Sequence, residues 1–174
     1  MNKVMLGDVI TFTLGKNSTR IKEHESKIYS LEDFEGDLQA AEEISNNYGC
    51  TINVIKSKAS PLSERTVDKV LNSSYVKCDF DPEVLDPWYL CYQINEGAEI
   101  EQQINMFNQG TWTSVKKINV GMISQMTINL PDIKKQKVIG ELYRQSIIQN
   151  NLLIKQADNI KKFNMKLIKK IEED

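Results

Sequence analysis

The chain has 174 residues, 40% of them apolar and 26% charged, with a formal net charge of −2. That size suits one ordinary domain plus an appendage, and the composition is neither that of a disordered chain nor of a membrane protein. No apolar run approaches the roughly 20 residues of a bilayer span, and "MNKVMLGDVITF" is too short and too polar for a secretion signal, so a cytoplasmic protein with no membrane contact is expected.

From the N-terminus, "VMLGDVITFTLGKN" reads as an opening strand or short helix, followed by a glycine turn at Gly15 and a polar loop, "KNSTRIK". "EDFEGDLQAAEEISNNYG" reads as helical around Leu38 to Ile44 and ends near Asn47–Gly49. "CTINVIKSKA" alternates as a strand does, with Ile52, Val54 and Ala59 on one side. "PLSERTVDKVLNSS" is a short helix or turn after Pro61. "YVKCDFDPEVLDPWYLCYQINEG" holds a strand, a turn at Asp81–Pro82 and an aromatic segment at Trp88, Tyr89 and Tyr92. "INMFNQGTWTSVKKINVGMISQMTINLP" carries a turn at Gln109–Gly110 and one or two strands. The expected fold class is α+β: a body over residues 1–130 with a twisted mixed sheet and short helices, then a separate helical region over 131–174.

That last region is the clearest. Asp132 is placed to cap a helix by accepting backbone N–H groups two or three residues on. Ile139, Leu142, Tyr143, Ile147, Leu153, Ile154, Ala157, Ile160, Leu167, Ile168 and Ile171 then recur mostly at three-, four- and seven-residue steps as one wide apolar stripe. At ~1.5 Å per residue, forty residues extend about 60 Å, beyond what a body of this size covers. The far end of the stripe is therefore expected to pack on another helix, with Asn150 and Asn164 as polar interruptions that can set register.

Charge is divided unevenly. Residues 1–130 carry 12 Lys+Arg against 18 Asp+Glu, and residues 131–174 carry 10 against 6. Much of the acid lies between Glu23 and Glu43, and net charge alone argues against a nucleic-acid binder. No catalytic residue emerges. "DPWY" at Asp86–Tyr89 is a distant lookalike of an adenine-methyltransferase loop, but it lacks the second proline and has no glycine-rich cofactor loop beside it. His24 has no nucleophile in a recognisable setting, and no phosphate-binding or dinucleotide fingerprint occurs. Cys50, Cys78 and Cys91 lack C-x-x-C spacing, so no metal site is expected and the thiols read as reduced and partly buried.

The two ends of the body and the helix resemble the DNA-specificity subunits of Type I restriction–modification systems. "VMLGDVITFTLGKN" is similar to that family's opening, and "NQGTWTSVKKINVGMISQMTINLPDIKKQKVIGELY" to its exit into the long helix, through Gly110, Ile128, Leu130, Pro131, Gln136 and Ile139. The resemblance covers about half the chain, and residues 20–100 offer nothing to match. It implies a non-catalytic, sequence-specific reader of double-stranded DNA in half-subunit form, with one target-recognition domain and one conserved-region helix. That helix would pair antiparallel with a second copy or another half-subunit and dock methyltransferase subunits. S-adenosylmethionine then belongs to the partner methyltransferase and this chain needs no cofactor.

Candidate DNA contacts are loop residues whose donors reach phosphates or base edges. They fall in three groups: Lys16, Asn17, Ser18 and Arg20; then Lys56, Lys58, Ser63 and Arg65; then Asn108, Gln109, Gly110, Thr111, Thr113, Ser114, Lys116 and Lys117. The acidic Glu23–Glu43 stretch is expected to face away from DNA or toward a protein. A coiled-coil adaptor, or an anti-restriction decoy that binds the methyltransferase without reading DNA, would explain the helix and the charge equally well.

Overall fold

The computed structural model describes residues 2–17, 27–39, 48–108 and 118–173. The opening segment is both strand and helix: β1 (Asn2–Met5) runs into a single helical turn, α1 (Leu6–Val9), and then β2 (Thr11–Leu14). β1 pairs antiparallel with β6 (Thr127–Leu130), Val4 opposite Ile128, to form a two-stranded sheet. A four-stranded sheet runs in the order β2, β5 (Tyr75–Asp79), β3 (Cys50–Asn53), β4 (Lys58–Pro61). Every ladder in it is antiparallel, which corrects the expected mixed sheet; the parallel pairings are isolated bridges, Lys16 with Asn72 and Ile28 with Val70.

The stretch read as one strand, "CTINVIKSKA", is a hairpin. The Asn53 side chain accepts from the backbone of Ile55 and Lys56, both at 3.0 Å, and Ser57 adopts φ 51°. An Asx turn of this kind lets the side chain replace the ladder and reverses the chain. Gly49, just before β3, has φ +73°, and a Cβ there would lie 2.3 Å from the Cys78 carbonyl oxygen, so only glycine fits.

Helix α2 (Leu31–Leu38) begins earlier than expected, because Ser30 and Asp33 form a reciprocal capping box; residues 40–47 lie outside the described residues. Helices α3 (Pro87–Glu96), α4 (Ala98–Phe107) and α5 (Val120–Gln125) occupy segments read as aromatic, turn or strand. Asp86 caps α3, with Pro87 in its first turn, and four consecutive residues, Trp88 to Cys91, are buried. Burial on all sides removes the 3.6-residue rhythm that marks an amphipathic helix.

The main core lies between the four-stranded sheet and α3, joining Ile52, Ala59 and Cys78 to Leu90, Cys91 and Ile94. All three cysteines are free and buried. A smaller core joins Tyr29, Phe34, Leu62 and Tyr75 under α2, with the two tyrosine rings edge to face at 5.0 Å. Helix α6 (Ile133–Glu173) is 41 residues long and is capped as expected, the Asp132 carboxylate accepting from the Lys135 backbone at 3.0 Å. No described helix is long and apolar enough to cross a membrane.

Candidate nucleic-acid interface and helix socket

An antiparallel sheet sends alternate strand ends to opposite edges, and this places the candidate loops. β2 ends, β3 ends, β4 begins and β5 begins at one edge, since Leu14 faces Val76, and Asn53 faces both Tyr75 and Lys58. Lys16 and Asn17 leave from that edge, with the Lys16 N–H bonded to the Leu71 carbonyl at 2.8 Å. The 54–57 turn with Lys56 lies beside them, joined to the 71–74 turn by the Val54 N–H on the Ser74 carbonyl at 3.0 Å. Ile118, where the chain re-enters the described structure, donates to the Val54 carbonyl at 3.1 Å. A groove of about 620 Å³ at this edge brings Lys56, Ser57 and Lys58 together with Asn105 of α4 and with the carboxylates of Glu96 and Glu101, the first of them 3.7 Å from the Lys58 ammonium. So Lys16, Asn17, Lys56 and Lys58 share one edge with the exit of the third group.

Ser63 and Arg65 do not join them. They follow the far end of β4, beyond Pro61, because the segment that holds the second group is a turn, a strand and another turn. Ser63 is 4% exposed, and its hydroxyl and backbone N–H both meet the Thr66 hydroxyl, at 3.1 and 3.0 Å. Its side chain holds a turn and is not presented to solvent. Asn108 closes α4, its side-chain amide on the Ile104 carbonyl at 2.8 Å. Ser18, Arg20, Gln109, Gly110, Thr111, Thr113, Ser114, Lys116 and Lys117 lie outside the described residues.

Part of the acidic stretch is used inside the body. Asp33 pairs with Lys69 at 2.7 Å, and these bonds, with those from Ser30, hold its carboxyl below the usual range although burial works the other way. Asp37 is buried and accepts from the Thr66 hydroxyl at 2.6 Å; burial pushes its carboxyl up. Glu35 reaches across to Lys56 at 3.0 Å, so one acid touches a candidate DNA contact instead of facing away.

The second feature is the socket that holds α6. Gln136 is 1% exposed; its amide oxygen accepts the Asp86 backbone N–H at 3.0 Å, while its nitrogen donates to the Val84 and Pro131 carbonyls at 3.0 and 2.8 Å. Asp86 in turn caps α3 through the Tyr89 N–H at 2.8 Å. The "DPWY" lookalike is thus the N-terminal turn of a buried helix, and burial raises the Asp86 carboxyl despite the backbone bonds that favour its ionised form. One turn on, Gly140 brings the α6 backbone against that cap.

Tyr143 completes the joint. Its ring stands 6.3 Å from that of Trp88 and 5.7 Å from that of Tyr92, and its hydroxyl accepts from the Asn95 amide at 3.0 Å. Burial pushes its phenol up to about 12. Asn95 also binds the Ala59 backbone through both its oxygen and its nitrogen, which links the sheet, α3 and α6 in one chain of bonds. β6 is fixed beside them by Gln103, on both backbone groups of Thr127, and by the Tyr89 hydroxyl on the Asn129 carbonyl at 2.6 Å.

The apolar stripe therefore divides. Ile139, Tyr143 and Ile147, at its near end, pack on the chain's own core and are partly buried there. Leu142, Leu153, Ile154, Ile160, Leu167, Ile168 and Ile171 are large and exposed, from 44% at Leu167 to 75% at Ile171, and Ala157 is exposed between them. Among the described residues, no group of three or more His, Cys, Asp or Glu side chains is placed to hold a metal.

No family model matches the chain, and no curated protein does. Solved structures do. The HsdS subunit from Thermoanaerobacter tengcongensis superimposes over 90% of this chain with a TM-score of 0.57 at 16% identity. This chain covers 39% of that one, so it spans about two fifths of the length of the structure it matches. A second structure, from work on complex assembly and conformational transition of the type I R-M system, matches 95% of this chain and 45% of its own at 13% identity, with a TM-score of 0.46. In fold, this α+β body with its long helix is that of the Type I specificity subunits that its sequence resembles.

Proposed function

We propose that this chain is a sequence-specific DNA-recognition unit of a Type I restriction–modification complex. It selects one part of a bipartite site and directs a separate adenine methyltransferase, with a nuclease where one is present. The observation that carries this reading is the joint between the two parts: a body whose polar loops gather at one sheet edge is bonded rigidly, through Gln136, Asp86 and Tyr143, to a helix of 41 residues. Paired antiparallel with a second such helix, it would hold two recognition bodies a fixed distance apart along a duplex. Reaction chemistry and S-adenosylmethionine belong to the methyltransferase. The body's acidic balance is compatible with this role, because sequence is read by a few groups at base edges and only phosphate contacts require positive charge.

Reconstitution with a Type I methyltransferase and sequencing of the methylated DNA tests the reading. Adenine methylation confined to one interrupted motif, and absent without this chain, is the expected result. Binding to the methyltransferase with no sequence-selective DNA retention would instead establish the adaptor or decoy.

A further inference from the structure

We propose that the 71–74 turn is a base-reading element of this surface, where Asn72 and Ser73 recognise the acceptor edge of a guanine in the major groove. This rests on the DNA-recognition reading above and adds two residues that no local sequence pattern singles out, together with the base edge they meet.

Sheet order puts the turn at the centre of the edge. It leads into β5, which lies between β2 and β3, so it stands between Lys16, just past β2, and Lys56, just past β3. At ~4.8 Å per strand the two flanks are about 10 Å apart, close to the ~12 Å width of the major groove. Lysines on the two sides suit the phosphates that border the groove, and a group projecting between them meets base edges.

The turn is held from both sides. The Asn72 carbonyl accepts the Tyr75 N–H at 3.0 Å, and the Asn72 side-chain oxygen accepts the Ser74 N–H at 2.9 Å, which makes an Asx turn. The Lys16 N–H on the Leu71 carbonyl and the Val54 N–H on the Ser74 carbonyl tie it to its neighbours. Leu71 packs on the smaller core beside Tyr75. A tip fixed in this way has little freedom left to lose on binding.

Its chemistry is that of a donor pair. With the oxygen engaged, the Asn72 amide offers its nitrogen, and the exposed Ser73 hydroxyl can donate beside it. Guanine presents two adjacent acceptors in the major groove, N7 and O6, whereas adenine pairs its N7 with a donor and cytosine presents a donor.

The full chain reconstituted with a Type I methyltransferase tests this. Asn72→Asp keeps an oxygen for the Ser74 N–H, so the turn stays closed, but it removes the donor; Ser73→Ala removes an exposed hydroxyl. Sequencing of the methylated DNA should show each variant accepting other bases at one guanine of the wild-type motif, with selectivity there reduced about tenfold and the other positions unchanged. Replacing that guanine by 7-deazaguanine, which pairs normally but lacks the N7 acceptor, should weaken wild-type binding severalfold. For Ser73→Ala the slope of log affinity against log salt should equal that of wild type, since no phosphate contact is lost. A wild-type motif in both variants, or a uniform loss of affinity with no relaxed position, would overturn the assignment to this turn and leave DNA recognition by the chain intact. A wild-type complex that methylates without any motif would overturn both.

Discussion

The side-chain amide of Gln136 accepts the backbone N–H of Asp86 at 3.0 Å, across fifty residues of sequence. The same amide holds two carbonyls, so one side chain satisfies three backbone groups where the body meets its helix. A buried backbone group left unpaired costs about 1–3 kcal/mol. Gln136→Leu keeps the volume and orphans all three, so it is expected to lower stability by roughly 2–4 kcal/mol, with relaxation and water recovering the remainder. Urea denaturation read by tryptophan fluorescence measures this. A loss below about 0.5 kcal/mol, the range of ordinary surface changes, would show that the joint does not depend on these bonds.

Gly140→Ala offers a test by sign. In an ordinary helix interior alanine is better than glycine by roughly 1 kcal/mol. Here the new Cβ would sit 2.4 Å from the Asp86 carboxylate, 2.9 Å from Trp88 Cβ and 2.9 Å from the Tyr89 nitrogen. Two of those three neighbours are the start of α3 itself, which cannot swing aside. The substitution is therefore expected to destabilise by about 1–3 kcal/mol, as overpacking does. A stabilised variant would mean that α6 stands further from α3.

Legibility in the sequence followed the range of the forces involved. Asp132, the capped start of α6 and its apolar stripe were readable because capping and 3.6-residue periodicity are local. The opening strand and turn, β5 and the Asp81 turn were readable for the same reason. α3 was not, since Trp88, Tyr89, Leu90 and Cys91 are all buried and leave no polar face to count from. The β3–β4 reversal was hidden because it depends on a single side chain, Asn53, folding back on its own backbone. Within the candidate site, the gathering of Lys16, Lys56 and Lys58 at one edge is a property of sheet order, which no local pattern records. Gln136 was visible only through its family resemblance. Its partners, Val84 and Asp86, lie fifty residues or more away.

Asp86 should make stability depend on pH. Burial raises its folded-state carboxyl above the ordinary value, which is about 3.9 in an unfolded chain. The folded state then binds the proton more tightly, so this group's contribution favours folding at low pH and declines as pH rises from the unfolded value through the folded one. Asp86→Asn keeps an oxygen to accept the Tyr89 N–H but carries no charge. Relative to wild type, the variant should lose that decline, and its stability advantage should be larger at pH 7 than at pH 4. Paired denaturation curves at the two values check this. A difference of opposite sign would mean that the cap bonds outweigh burial.

The sheet edge yields a prediction about salt. Lys16 and Lys56 leave the same edge, whereas Arg65 lies beyond the other end of β4. Lys56 is matched by Glu35, but that pair is about half exposed on both sides, and exposed pairs are worth only ~0–1 kcal/mol. A phosphate can therefore displace the carboxylate at little cost. Each phosphate contact releases counterions and adds roughly 0.9 to the slope of log affinity against log salt. In the complex reconstituted with its methyltransferase, Lys16→Ala with Lys56→Ala should weaken DNA binding and reduce that slope by about 2 per recognition body. Arg65→Ala should leave the slope unchanged, because its end of the sheet faces away from the gathered loops. If Arg65→Ala lowers the slope and the lysine pair does not, DNA lies along the opposite edge, and the recognition surface must be sought beyond Pro61.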